Sequence, residues 1–467
     1  MIFSYGLTVL LVIFEGIIIQ CEGGGAFSSN RGSDKPFLPN DLIELILSKT
    51  DFQTIHDTIR KKIIHTTDIT MSGILQSRII FIEPAMFDGR IIEYYEDGDF
   101  ILKINNHKKL LKFFERFGDQ VKRIAIYYSS VENNKHKEIN ENIIKKYAKN
   151  FEELQIFSKN VAEFWEEISK GEDAIIFPKV KKLQMRCDIN SSQNVFKMNL
   201  IFPKLESLGL YGDVANLNCL ENVKGLKELT LDTESMEEEQ LDDIFANNQN
   251  MTMIHLNEPN RTETMHSIAQ HLTKLKTFKV YWPGENFLFR ANNNPVYQLP
   301  SVNQFIFLFG KIDEVFGIGD FSFDMPHLKW LTLHGYQADA RIFDYITQNF
   351  EELEKLELFV DKCNTVECIE KLKHIRELTI LFFRDEFDSL EIMFRNFDKE
   401  SKLQTLKFVY FRESFYQKYE KEMKKINIHL KNSMKPTWAL SQEERIGKRE
   451  NYLIFRREPC TCKSCKQ

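Results

Sequence analysis

Cysteine is scarce in this chain of 467 residues, with eight in all: Cys21, Cys187, Cys219, Cys363, Cys368, Cys460, Cys462 and Cys465. That density excludes a scaffold stapled by closely spaced bridges. Loss of a leader carrying Cys21 leaves an odd seven. The ending CTCKSCK sets three thiols within six residues. No fourth Cys or His stands nearby to complete a tetrahedral zinc shell, so a frayed tail or a local disulfide is expected there. Proline (12) and glycine (20) are few, and no long low-complexity tract interrupts the chain. An excess of positive charge is missing as well. The 62 Lys and Arg against 68 Asp and Glu leave a net charge of −6, which excludes a general binder of nucleic acid or anionic membrane.

Catalytic signatures are also lacking. GIGDFS at Gly317 has no third glycine for a dinucleotide loop, and the chain contains no P-loop, HExxH or GxSxG. His65, His255, His271, His327 and His334 are scattered without partner spacing and read as ordinary solvated or packed histidines. KYEKEMKK (418–425) is mixed in charge and reads as a solvated helix face. The expectation is a protein that is not an enzyme and holds no cofactor and no metal.

Phenylalanine, in contrast, is abundant at 39 residues, which predicts a large Phe-rich core. The chain opens with an apolar stretch at 5–14, then Glu15, three isoleucines at 17–19 and small residues at 23–26. That order matches a secretory signal peptide. A retained anchor is disfavoured because Glu15 near its midpoint would cost about 2.5–3.5 kcal/mol on insertion scales. The remaining alternative is an uncleaved cytosolic N-terminus. Sequons at Asn190, Asn250 and Asn260 do not exceed chance and decide nothing.

One phrase organises most of the chain: an apolar residue, two polar, an apolar, one variable, an apolar. It occurs as VKRIAI at Val121, FEELQI at Phe151, VKKLQM at Val180 and LESLGL at Leu205. It continues as LKELTL at Leu226, MTMIHL at Met251, LKTFKV at Leu275 and VNQFIF at Val302. LKWLTL at Leu328, LEKLEL at Leu353, IRELTI at Ile375 and LQTLKF at Leu403 complete twelve copies, 21–30 residues apart. The fourth and sixth positions lie two apart, so they share one face of a strand. Stretches between them, such as 236–250 with Leu241, Ile244 and Phe245 and 340–352 with Ile342, Ile346 and Phe350, carry helical spacing. The pattern predicts an α/β fold over 121–412, with short strands stacking into a curved parallel sheet and helices returning behind it.

The phrase resembles the leucine-rich-repeat family. It departs from the family pattern three residues after the sixth position, where the usual Asn or Cys is absent and Asp188, Asp213 and Asp361 stand in three copies. A regular side-chain ladder is therefore not expected, and the solenoid should be irregular. The third, fifth and seventh positions should face outward on the concave side. There Tyr127, Phe157, Tyr211, Tyr281 and Phe359 at seventh positions, with Trp330 at a third, are the candidate protein-binding rings. Alternatively, the C-terminal segment or the inter-repeat loops fold over the sheet and bury them.

Ahead of the repeats, FLPNDLIELIL (37–47) places Pro39 at a helix start, with Leu42, Leu45 and Ile46 on one face. Asp51 suits the N-cap of a second helix carrying Phe52, Ile55 and Ile59, and a third run through Ile63 and Ile64 would close a trihelical unit. This resembles an F-box. The resemblance implies docking of the small Skp-type adaptor of a cullin–RING ubiquitin ligase through Leu38, Pro39, Leu42, Ile43, Ile46 and Leu47. Thr50 stands where a Leu is usual, and the Cys-Lys-x-Trp-like ending is missing. An amphipathic cap on the first repeat is the other reading. A signal peptide, an F-box-like segment and leucine-rich repeats in this order are similar to secreted F-box/leucine-rich-repeat-like proteins of parasitoid wasp venom. The expected organisation is a signal peptide at 1–25, a linker at 26–36 and the F-box-like segment at 37–80. A connecting segment and N-terminal cap follow at 81–120, the solenoid at 121–412, and a C-terminal cap with the Cys-containing tail at 413–467. The expected function is a secreted, non-enzymatic protein-binding protein. The alternative is an intracellular F-box substrate receptor of an SCF-type ligase. No nucleic-acid partner and no stable membrane insertion are expected.

Overall fold

Each repeat phrase has too few apolar positions to bury itself, and neighbouring copies must supply the rest of the interior. In the computed structural model all twelve do so as strands of one sheet. The structure describes residues 78–82, 91–96, 99–104, 107–128, 134–158, 175–186, 197–212, 220, 222–232, 238–257, 262–282, 296–309, 323–334, 346–360, 372, 374–382, 394, 402–410, 414–433, 436–445 and 450–458. The leader, the F-box-like positions Leu38, Pro39, Leu42, Ile43, Ile46 and Leu47, and all eight cysteines lie outside the described residues.

The sheet begins with β1 (Arg78–Ile82), β2 (Ile91–Glu96) and β3 (Asp99–Ile104). Helix α1 (His107–Phe117) leads to β4 (Arg123–Tyr128), and α2 (Asn134–Tyr147) leads to β5 (Glu153–Ser158). After β6 (Lys182–Arg186), β7 (Ser207–Tyr211) and β8 (Glu228–Asp232) come α3 (Glu238–Asn247), β9 (Met253–Asn257), α4 (Thr262–His271) and β10 (Thr277–Trp282). The two-residue strands β11 (Tyr297–Gln298) and β13 (Phe323–Asp324) pair with each other apart from the main sheet. Main-sheet strands β12 (Gln304–Phe309), β14 (Trp330–His334), β15 (Lys355–Val360), β16 (Glu377–Phe382) and β17 (Thr405–Tyr410) finish the repeats. Helix α5 (Ser414–Asn432) and the hairpin β18 (Trp438–Arg445), β19 (Glu450–Arg457) close the chain.

From β4 to β17 every pairing is parallel and keeps one register. The fourth positions stand opposite one another without a slip, from Ile124–Leu154 through Leu208–Leu229 to Leu378–Leu406. All first, fourth and sixth positions of the twelve copies are buried except Leu333, which is partly buried. A one-residue slip would turn each of these to solvent, so burial itself fixes the register. The backbone adds a second device. The amides of positions two and three both donate to the position-two carbonyl of the preceding copy, as Lys227 and Glu228 do to Glu206 (2.7 and 3.1 Å). This forked bond joins every successive pair of copies. The large parallel sheet with interspersed helices fits a leucine-rich-repeat solenoid.

Core membership exceeds the expected phrase. Three residues before the first position, Phe177, Phe202, Val223, Leu272, Leu299, Met325, Phe350 and Leu372 are also buried. There the chain turns, and the first-position amide bonds back to that residue's carbonyl, as Leu205 does to Phe202 (3.3 Å), except after Val223, where Leu226 turns its amide to the Asn248 side chain. Asn248 takes this place in one copy and is the only strongly polar side chain to do so among the described residues. It donates to the carbonyls of Val223 and Ile244 and accepts from the Leu226 amide, each at 2.9 Å. Thirteen described phenylalanines are buried, with Phe278 and Phe305 5.4 Å apart across β10 and β12, so the Phe-rich composition serves the core. Leu241, Ile244 and Phe245 on α3 and Ile346 and Phe350 further on face that core as the helical spacing predicts; Ile342 lies outside the described residues.

The two ends of the sheet are finished differently from its body. At one end β1 joins β4 in parallel and pairs on its other side with β3, which carries the antiparallel strand β2. The first three residues of β1 fall inside the segment read as F-box-like. At the other end β19 runs antiparallel to β17 and carries β18 outside it. Helix α5 is tied to this hairpin by Asn427, whose amide brackets the backbone of Trp438 (2.6 and 3.1 Å). Within KYEKEMKK, Lys421, Lys424 and Lys425 are exposed as expected, but Tyr419 and Met423 are buried.

Candidate functional site

Strand alternation puts the third, fifth and seventh positions on the face opposite the core. The C-terminal hairpin does not lie over that face, because β19 and β18 extend the sheet edge to edge. The inter-repeat loops that could do so are outside the described residues. Tyr127, Phe157, Tyr211, Tyr281 and Phe359 all occupy seventh positions at the C-terminal ends of their strands. Phe157, Tyr211 and Tyr281 are partly exposed, and only the backbone is described for Tyr127 and Phe359.

The rings form a dispersed row rather than a cluster. Tyr127 is directly opposite Phe157, but Tyr211 and Tyr281 are three strands apart, or ~14 Å at the usual strand spacing. Trp330 stands at the other end of its strand, opposite Gln304 and Lys355, with Lys355 Nζ 3.7 Å from the ring centroid. Its Nε1 and the hydroxyl of neighbouring Thr332 are buried without a hydrogen-bond partner. The face is also less uniformly exposed than the alternation implies. Ala125, Gly209, Thr230, Thr332 and Thr379 at fifth positions are small and buried, and Val409, at a seventh position, is covered as well.

Charge on this face is sorted. Near the first end, Glu153 lies between Arg123 (2.6 Å) and Lys182 (3.3 Å). Near the other, Glu377 lies between Lys355 (3.5 Å) and Lys407 (2.7 Å), while His334 bonds Glu357 (2.7 Å). Burial would raise the pKa of Glu153, but the hydrogen bond and charge of Arg123, with Lys182 and Gln155, hold it below the usual carboxylate range. Glu377 is lowered in the same way, with burial outweighed by Lys407 and Lys355. Between these ends the third positions read Ser207, Glu228, Met253, Thr277, Gln304 and Trp330, with one charge among six. Sequence reasoning passed over these ion pairs. Aligning third and fifth positions copy by copy would have revealed Arg123–Glu153–Lys182 and Lys355–Glu377–Lys407.

His255 sits at a fifth position in this central part. Burial, then the positive charge of Lys279, push its pKa down to about 4 against a hydrogen bond to Asn257 that acts the other way. Behind the sheet, Asp242 on α3 accepts from Ser267 on α4 and lies 3.1 Å from His271 Nε2. The residue types are those of a hydrolytic triad, but the geometry is not. Both Ser267 and His271 address the same carboxylate oxygen, so His271 is not placed to take the serine proton. The grouping ties two helices together. His327 is exposed beside Glu352 at 3.3 Å, and His65 is outside the described residues. Among the described residues no group of three His, Cys, Asp or Glu side chains is placed to hold a metal, and no helix is long and apolar enough to cross a membrane.

No protein-family model matches the sequence, and no curated protein matches it. Among solved structures the chain is similar to an internalin (inlF) from Listeria monocytogenes strain 4b F2365, with 11% identity and a TM-score of 0.33. That likeness covers 62% of this chain and 74% of the internalin. The fold reading rests on the strand register, not on this likeness. Neither the F-box nor the venom-protein resemblance finds support in these comparisons.

Proposed function

We propose that this chain is a non-enzymatic repeat protein that binds a protein partner on the outward face of its sheet. The observation that carries the reading is the central stretch from β7 to β14, where partly exposed Tyr211, Tyr281 and Trp330 stand on a rigid sheet with few charges between them. Aromatic anchors on a low-charge patch are what protein interfaces use most. A photo-crosslinker placed at residue 281 of the purified chain should capture a partner protein of discrete mass from the source extract. The product should be lost in the Trp330→Ala background. Crosslinking only within the chain overturns the reading.

In the secreted form of this proposal the leader is removed and the F-box-like segment no longer serves a ligase. N-terminal sequencing of protein from culture medium tests it, and intact Met1 found only inside cells would defeat it. The helical spacing of Leu42, Leu45 and Ile46 after Pro39 keeps an intracellular ligase receptor as the second reading. It predicts co-purification with a Skp-type adaptor that Leu38→Ala with Ile46→Ala abolishes.

A further inference from the structure

Because the repeat strands are parallel and in register, the turns that enter them all lie along one edge of the sheet. Charge on that edge is segregated. The four residues ending at the second repeat position read PKLE before β7, KGLK before β8, QNMT before β9, TKLK before β10, PSVN before β12 and PHLK before β14. The apolar residue next to last in each is buried, and what remains is six lysines against one acid, Glu206.

Lys204, Lys224, Lys227, Lys274, Lys276 and Lys329 are all exposed. Lys227 pairs with Glu206 at 2.7 Å, and Lys274 donates to the Asn250 side chain at 2.6 Å. Among the described residues no ion pair engages the other four. The next turn, EELE before β15, reverses the sign and ends the stretch.

A local positive edge on a molecule of net charge −6 favours a short anion over a long one, which the rest of the surface would repel. These turns carry no arginine to fork a phosphate and no Phe, Tyr or Trp to stack a base. Next to them lie Met253, Thr277, Gln304 and Trp330, which are uncharged and partly apolar. Six strands span ~24 Å, the length of about seven residues of extended chain.

We propose that this edge, from β7 to β14, binds an acidic segment of the partner protein. The inference rests on the protein-binding reading above and adds the partner's chemistry. Fluorescence anisotropy with a labelled octaglutamate peptide and the full chain tests it. Binding should weaken at least tenfold between about 50 and 300 mM salt. It should weaken at least tenfold in Lys276→Glu/Lys329→Glu, and be unchanged in Lys145→Glu, an exposed site on α2. Should charge reversal unfold the chain, Lys276→Gln/Lys329→Gln is expected to show the same loss at an unchanged melting temperature. No salt-dependent binding, undiminished binding in the double variant, or tighter binding of an oligodeoxynucleotide of equal charge overturns the proposal. If capture at residue 281 persists while the peptide fails to bind, only the acidic-segment inference falls.

Discussion

The ring of Tyr211 lies over Gly209, its neighbour two residues back on the same strand: a Cβ built on Gly209 would come 3.0 Å from Cε2 and 3.3 Å from the hydroxyl oxygen. The glycine is what lets the ring lie against the sheet instead of standing away from it. Gly209→Val is therefore expected to lift the ring. Partner capture through Tyr211 should drop several-fold, and the melting temperature should move little, because the displaced group is the free end of a surface side chain. Binding assays and thermal unfolding on the same preparation check this.

Tyr281→Ala and Tyr211→Ala should each weaken partner binding by more than about 1 kcal/mol, or over fivefold, if these rings act as anchors. Thermal unfolding should be nearly unchanged. A large fall in melting temperature would mean that the rings belong to the core.

Leu229 is buried in the middle of the fourth-position row, opposite Leu208 and Ile254. Leu229→Ala removes contacts from three adjacent copies at once and should cost about 2–5 kcal/mol in urea unfolding. Asn248→Ala leaves the Leu226 amide and two carbonyls without partners, and about 1–3 kcal/mol should be lost. Asn248→Asp should be worse, since it turns the two donors into a carboxylate aimed at the Val223 and Ile244 carbonyls. An aspartate variant as stable as wild type would show that those bonds contribute little.

Acid should begin to destabilise the fold near pH 6.5, through a buried histidine. The folded pKa of His255, about 4, lies below its ordinary 6.5, so the unfolded chain binds the extra proton first. Its contribution is fully present above pH 6.5 and is lost as pH falls from there through 4. The whole shift corresponds to about 3 kcal/mol, and partial exposure reduces this to about 1–2 kcal/mol. Glu153 and Glu377, both lowered, extend the loss at still lower pH. His255→Gln should reduce the slope of stability between pH 6.5 and 4, the remainder coming from His374, which burial also lowers, while leaving the limb at lower pH intact, as read from urea midpoints across that range.

The repeat phrase was legible because the first, fourth and sixth positions are set by burial alone, and burial is what hydropathy patterning records. The apolar residue three places earlier escaped notice because Gly118, Ala148 and Asn248 interrupt it, and because it belongs to a turn rather than to the strand period. Strands β1, β2 and β3 were not expected. Their sequences, RIIFI, IIEYYE and DFILKI, lack the phrase, and their place in the sheet follows from pairing with β4 and with one another, a long-range choice that local pattern does not encode. On the outward face, the identity of the rings could be read from repeat position, but their wide spacing could not be judged until strand order and register were known.

The forked amide-to-carbonyl bond makes every internal junction between repeats chemically alike, while the antiparallel strands at either end are not interchangeable with the units between them. Gain or loss of one whole unit would therefore leave both terminal closures untouched. A unit added or removed between β7 and β10 would shift Tyr211 and Tyr281 farther apart or nearer together by about one strand spacing.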